Sequence, residues 1–189
     1  TKMLSIDGDS MFRYGLDPNK TLPAALRRSA DALHTFFERS SKTPVPQGLS
    51  YLINDVARVL TERPETRLVL FKSQWGPVLD IAEFPAFDGL IDQIEWRDMV
   101  PIAQLPEELA RFDINLAPLE VGNVFCESKS ELKYYEAALV DVPTVASPTE
   151  PYAKAIRHGV TGYLARTEDD WFEAIDALVE PLGNTRIDK

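Results

Sequence analysis

The residues of this chain best equipped for chemistry stand together at 127–136, in the run Glu-Ser-Lys-Ser-Glu-Leu-Lys-Tyr-Tyr-Glu. Lys129 and Lys133 are four apart, so on a helix that starts early they share one face. Ser128 and Glu131 have the spacing of a capping box, and Ser130 could cap instead. Either cap leaves first-turn N–H groups directed at the preceding loop, with the positive end of the helix dipole behind them. Two ammoniums and several helix amides make a seat for a diphosphate, because both donate hydrogen bonds to anionic oxygens. Spacing alone favours a plainer reading, in which the lysines pair with Glu127, Glu131 and Glu136 on a solvated helix.

Such a cluster needs a strand to deliver it and a helix to carry it, and the chain offers both. Short apolar runs at 33–37, 67–71, 93–96, 114–119, 143–147 and 161–165 read as strands. Helical patterns lie between or after them at 49–64, weakly at 77–90, and at 103–112, 130–140, 151–159 and 168–182. Leu52, Val56, Val59 and Leu60 recur at helical spacing and predict one buried stripe. Gly159 stands where a helix should stop in left-handed geometry, and Pro143 opens a strand, where its missing N–H is tolerated. Strand–helix alternation with short connections predicts a mostly parallel sheet of about six strands with helices on both faces, a Rossmann-like three-layer α/β domain. Ligands of such sheets sit at the carboxyl ends of the strands, which directs attention to the loops 38–48, 72–77, 97–102, 120–130, 147–150 and 166–168. Residues 1–30 read as a connector and 31–189 as the domain.

Composition narrows the function classes. The 189 residues suit one domain with a full core, and 44% apolar with 26% charged residues is ordinary for a globular protein. A net charge of −10 argues against a nucleic-acid face, since phosphate polymers are gripped by excess Lys and Arg. A small phosphate ligand needs only a few local cations, so the acidity does not exclude one. The single cysteine, Cys126, rules out an internal disulfide and fits a reducing compartment. No run approaches the roughly 18 apolar residues of a membrane span, and the first residues lack an apolar signal core. The chain does not begin with Met and is expected to be a piece of a longer protein.

The segment "KSELKYYEAALVDVPTVASP" at 129–148 resembles the donor-site stretch of the group 1 glycosyltransferases (family 4, GT-B fold), through Lys129, Ser130, Leu132, Lys133, Glu136 and Val142–Ser147. "AIRHGVTGYLA" (155–165) is similar to that family's next helix-to-strand step, "LARFDINLAPL" (109–119) to the preceding one, and "RPETRLVLF" (63–71) to its second strand. The resemblance implies the C-terminal, donor-binding half of a GT-B enzyme with a retaining mechanism, serving polysaccharide or glycoconjugate synthesis. It implies a nucleotide diphosphate-sugar donor, a sugar or glycan acceptor, and an N-terminal acceptor-binding domain that this chain lacks. In that scheme Lys129, Ser130, Glu131, Leu132 and Lys133 hold the diphosphate, together with Ser41 and Lys42 from the first strand's loop. Lys129 and Lys133 steady the charge that grows on the leaving diphosphate, and Glu136 holds the ribose hydroxyls. Glu127 or Ser128 would reach the donor sugar; the family often has Glu where Ser128 stands, and Gly where Asp141 stands. No cofactor and no metal are expected. The implied location is cytoplasmic, with a peripheral place at the inner membrane as an option.

Other constellations in the chain carry their own chemistry. A domain that kept the fold and lost catalysis would serve as a nucleotide-binding module, which Ser128 and the prolines of 38–48 favour. "SIDGDSM" (5–11) carries the D-x-D of haloacid dehalogenase-like aspartyl phosphatases, with Asp7 as nucleophile and Glu168–Asp170 as an acidic pair for Mg²⁺. Those last residues more simply charge a helix's first turn. His34 and His158 have no second ligand at metal spacing. Trp75, Trp96 and Trp171 read as packing, and Cys126 as a bystander.

Overall fold

The structure, a computed structural model, describes residues 2–6, 47–73, 76–77 and 81–179. Along the chain run strand β1 (Lys2–Ile6), helix α1 (Gln47–Glu62), β2 (Thr66–Ser73), the two-residue β3 (Gly76–Pro77) and β4 (Ile94–Asp98). Then come α2 (Leu105–Leu109), β5 (Ile114–Ala117), α3 (Val124–Glu127), α4 (Leu132–Ala138) and β6 (Thr144–Ala146). The last elements are α5 (Glu150–Ala155), β7 (Tyr163–Leu164) and α6 (Glu168–Val179).

All strands but β3 are parallel, in the order β4-β2-β1-β5-β6-β7, while β3 folds back antiparallel on the end of β2. The chain winds outward from β1 in both directions, so the connections diverge between β1 and β5 and leave a crevice at the strands' carboxyl ends. The expected mostly parallel, Rossmann-like sheet is the observed one.

Its strands are apolar on both faces because helices cover both. Along β2, Leu68 and Leu70 join one core with the α1 stripe Leu52, Val56, Val59 and Leu60 and with Trp171 and Ile175 of α6. The alternate residues Val69 and Phe71 point the other way, into a cluster with Leu109, Phe112, Ala137 and Val142. This period-two division of one continuous apolar run is what a doubly covered parallel strand requires. Trp96 packs against the first core and Trp171 is buried in it, as packing residues. No helix among the described residues is long and apolar enough to cross a membrane.

Three expectations are corrected. Residues 2–6, within the segment read as a connector, pair with β2 and β5 and are a central strand. The weak helix at 77–90 is broken into 3₁₀ turns at Ile81–Glu83 and Pro85–Phe87, because Pro85 starts a new turn and Gly89 takes φ +80°. The fifth helix ends at Ala155, and Gly159 takes its left-handed φ of +72° inside the turn that follows. The strand expected at 33–37, with His34, and the loop residues 38–46 lie outside the described residues, as do Asp7 and Trp75.

Helix α4 closes in a Schellman motif. Asp141 adopts φ +60°, its N–H donates to the Ala138 carbonyl at 3.2 Å, and the Val142 N–H donates to the Ala137 carbonyl at 3.0 Å. Val142 and Ala137 also touch in the core, as that motif prefers. Asp141→Gly should relieve the left-handed strain and raise Tm by about 3 °C, corresponding to about 1 kcal/mol; an unchanged or lower Tm in thermal melts would argue against that strain.

Asp55 on α1 is 5% exposed, and its Oδ2 has no hydrogen-bond partner. Burial pushes its carboxyl up to about 7, reinforced by Glu168 and, less, Asp169 at the start of α6, and opposed by Arg58. The unfolded group titrates at 3.8, so this residue's contribution is fully favourable below about pH 3.8 and is lost as pH rises towards about 7. Asp55→Asn removes the charge at constant shape. It should raise Tm at pH 8 by about 4 °C, on the order of 1–2 kcal/mol, and by less at pH 5; a gain independent of pH would refute the account.

Candidate functional site

The connection leaving β5 is built from polar bonds. Asn123 caps α3, its side-chain oxygen accepting from the N–H groups of Phe125 at 2.9 Å and Cys126 at 3.4 Å, and its amide donates to Glu120 at 2.9 Å. No residue of α3 is buried; Val124 is 85% exposed and Phe125 50%. The chain then turns through Ser128–Glu131 into α4, which is seated on the sheet from beneath. The buried Asn115 side chain of β5 donates to Thr144 Oγ1 on β6 at 3.0 Å and to the Lys133 carbonyl at 3.4 Å. Ser147, just past β6, joins the two strand ends: its N–H donates to the Ala117 carbonyl at 3.2 Å and its Oγ accepts from the Leu119 N–H at 2.8 Å.

Beside these bonds lies a cavity of about 270 Å³ at the carboxyl end of β5. One wall is Ala117–Leu119; the other comprises Phe125, Ser128, Lys129 and Ser130. Leu132, Lys133 and Glu136 of α4 face into it, all within about one helical turn, with Tyr152 of α5 among the lining residues. Tyr152 is 2% exposed and belongs to an apolar cluster with Ala117, Tyr134, Ala146 and Ile156, which gives the cavity a rigid base. The Lys129 ammonium stands 4.9 Å over the Phe125 ring, a cation–π contact at the rim.

The structure therefore brings Ser128, Lys129, Ser130, Leu132, Lys133 and Glu136 to one cavity. Glu127 and Glu131 do not line it. The Glu127 carboxylate accepts from the Gly122 N–H at 2.9 Å and from the Glu150 N–H, at the start of α5, at 2.8 Å. These two amides, Gly122's first, hold its carboxyl below the usual carboxylate range. The expected capping box does not form: Ser128 donates its hydroxyl to the Phe125 carbonyl at 2.8 Å, and α4 starts after Glu131 with no side-chain cap. The reason is that α3 interposes its own turn, placing Ser128 at a helix end instead of a helix start. Ser41 and Lys42 lie outside the described residues. Among the described residues, none from the loops after β2 and β4 lines this cavity.

Sequence reasoning did not single out Phe125 or Tyr152. An aromatic within 120–130 was a visible signal for the first, whereas Tyr152 reaches the cavity only by tertiary packing. The acidic run at 168–170 has a structural use. Asp170 Oδ2 accepts from the N–H groups of Thr167 and Arg166, both at 2.9 Å, and Thr167 Oγ1 accepts from the Asp170 N–H at 3.2 Å. This reciprocal cap, led by the Thr167 amide, lowers the Asp170 pKa. Among the described residues no cluster of three or more His, Cys, Asp or Glu could hold a metal ion. His158 uses Nδ1 to accept from the Leu164 N–H at 3.1 Å.

The fold has solved counterparts. Anabaena HepE, crystallised with UDP and glucose, is 17% identical with a TM-score of 0.52, over 73% of this chain and 36% of that one. The C-terminal domain of LpcC, a glycosyl transferase group 1 family protein from Francisella tularensis, is 16% identical with a TM-score of 0.52, over 74% of this chain and 72% of that one. A mutant O-GlcNAc transferase from Thermobaculum terrenum is 20% identical with a TM-score of 0.53, over 69% of this chain and 26% of that one. The chain thus spans well under half of the longer proteins and most of the isolated domain. No curated protein is significantly similar in sequence. At such identities structural likeness establishes the Rossmann-like GT-B domain fold. The sequence itself supplies the family, since the model of glycosyl transferases group 1 matches residues 36–181, and the chain belongs to that family.

Proposed function

We propose that this chain is the donor-binding, C-terminal domain of a retaining glycosyltransferase. The observation that carries the reading is one cavity at the strands' carboxyl ends, to which two lysines, two serines and a carboxylate all contribute. Lys129, Ser130 and Lys133 hold the diphosphate of an activated sugar. Glu136, one turn beyond Lys133, accepts two O–H bonds from the ribose. As the bond from the sugar's anomeric carbon to the diphosphate breaks, the electron pair passes to the phosphate oxygen, and the two ammoniums stabilise the charge that develops there. That stabilisation requires no metal ion. HepE was solved with UDP and glucose, which makes uridine diphosphate the first donor fragment to try.

An acceptor-binding domain on a longer chain would complete the active site, supplying the acceptor hydroxyl and the groups that deprotonate it. The reading extends to polysaccharide or glycoconjugate synthesis in a reducing, cytoplasmic setting, in keeping with a sequence holding one cysteine.

Calorimetric titration with UDP, GDP, ADP and CDP tests the proposal. One diphosphate should bind in EDTA with an affinity that Mg²⁺ leaves unchanged. Glu136→Ala should weaken it by about 10- to 100-fold and Lys133→Ala by about 10-fold, the usual range for losing a hydrogen bond to a charged group. Binding that needs Mg²⁺, or that survives Glu136→Ala intact, would discard this assignment of roles. Binding with no sugar transfer when the acceptor domain is supplied would favour a nucleotide-binding module instead.

A further inference from the structure

We infer that Glu127 is a latch: by bridging the amides of Gly122 and Glu150 it ties the loop that follows β5 to the helix that follows β6, and so holds Phe125 and Lys129 at the rim of the cavity. This assignment of Glu127 as a positioning residue rests on the donor-site reading for its functional consequence.

Apolar packing does not hold α3 in place. Its four residues include none that is buried, and Val124 and Phe125 stand largely in solvent, so apolar burial contributes little to its placement. The Asn123 cap and the Glu120–Asn123 bond are local and move with the segment. Glu127 Oε2, by contrast, accepts from the Glu150 N–H in a different part of the chain, 23 residues away. Oε1 of the same carboxylate meanwhile grips the Gly122 N–H, so one side chain joins three segments. Both bonds are charge-assisted, and one is made at a helix's first residue, where the dipole favours an anion. A carboxylate whose pKa is lowered by these amides stays ionised across the neutral range.

The backbone donor on the far side can be deleted without touching Glu127. Glu150 is the first residue of α5, preceded by Thr149 at φ −66°, ψ 158°. Proline is well accepted at a helix's first position, and an extended residue before it suits it, so Glu150→Pro removes the N–H and leaves the helix. Glu150→Ala keeps the N–H and loses only the exposed pair with Lys154. Cys126, next to Glu127 and the sequence's single cysteine, reports the loop's opening by its rate of alkylation, independently of any ligand.

We expect Glu127→Ala and Glu150→Pro each to raise the alkylation rate of Cys126 by about five-fold and Glu150→Ala to leave it unchanged. The double variant Glu127→Ala/Glu150→Pro should open the loop hardly more than Glu127→Ala alone, since both substitutions break the same Glu127–Glu150 bond. With Tm held to within about 2 °C of wild type, both latch variants should weaken UDP binding by about three-fold or more. Unchanged thiol rates in Glu127→Ala and Glu150→Pro, or equal effects from Glu150→Ala, would overturn the latch. Altered thiol rates in a protein whose wild type binds none of the four diphosphates would uphold the latch and defeat the donor-site reading.

Discussion

The Asn115 side chain lies 2% exposed between two strands and a helix, and an amide in such a place must be hydrogen-bonded. It donates to Thr144 Oγ1 on the neighbouring strand and to the Lys133 carbonyl above it. The first bond registers β5 against β6; the second sets the height of α4 over their carboxyl ends. Everything proposed for the site follows from that placement, because Lys133 and Glu136 are carried by α4 and Lys129 leads into it. On the same face its partner Thr144 is also buried, so this patch of the interior is polar. The opposite face, with Ile114, Leu116 and Val145, is plain core. A parallel strand covered on both sides can thus spend one face on stability and the other on aligning a helix.

Electrostatics at the cavity differ in sign from those of the whole chain. Net charge is −10, yet the cavity gathers Lys129 and Lys133 with one carboxylate, Glu136. Attraction between exposed charges fades within about 8–10 Å at physiological salt, so the local arrangement decides what binds and the distant acidic surface only discourages polyanions. Keeping Glu127 out of the cavity lining strengthens this bias, since its carboxylate is held by two backbone amides. One anionic side chain is committed to architecture and another lines the cavity, and the two are nine residues apart.

Two features of the fold carry a cost that the core outweighs. Asp55 is buried with an orphaned oxygen, and Asp141 accepts a left-handed backbone to close α4. Both lie away from the cavity lining, so neither is needed to hold a ligand directly. The second has a clear structural return: the Schellman closure ends α4 after two turns and sends the chain straight through Pro143 into β6.

The sequence by itself determined the alternation of strand and helix, the stripe of α1, the parallel sheet and the position of the charged cluster after β5. It could do so because those features arise from local periodicity and from the need to cover both faces of an apolar strand. It also contained the family resemblance at 129–148, which the match over 36–181 bears out. Tertiary structure alone decided which charged residues face the cavity. The four-residue spacing of Lys129 and Lys133 suggested one helix face, but Lys129 lies in the turn between α3 and α4, and that turn's path brings it back to the same cavity. Glu127 and Glu136 look alike in sequence; one meets backbone amides 5 and 23 residues away, and the other lines the cavity with Lys133. Contacts between segments so far apart leave no periodic trace, because they depend on how the loops after β5 and β6 pack together, which is settled only once the sheet has brought the two strands side by side.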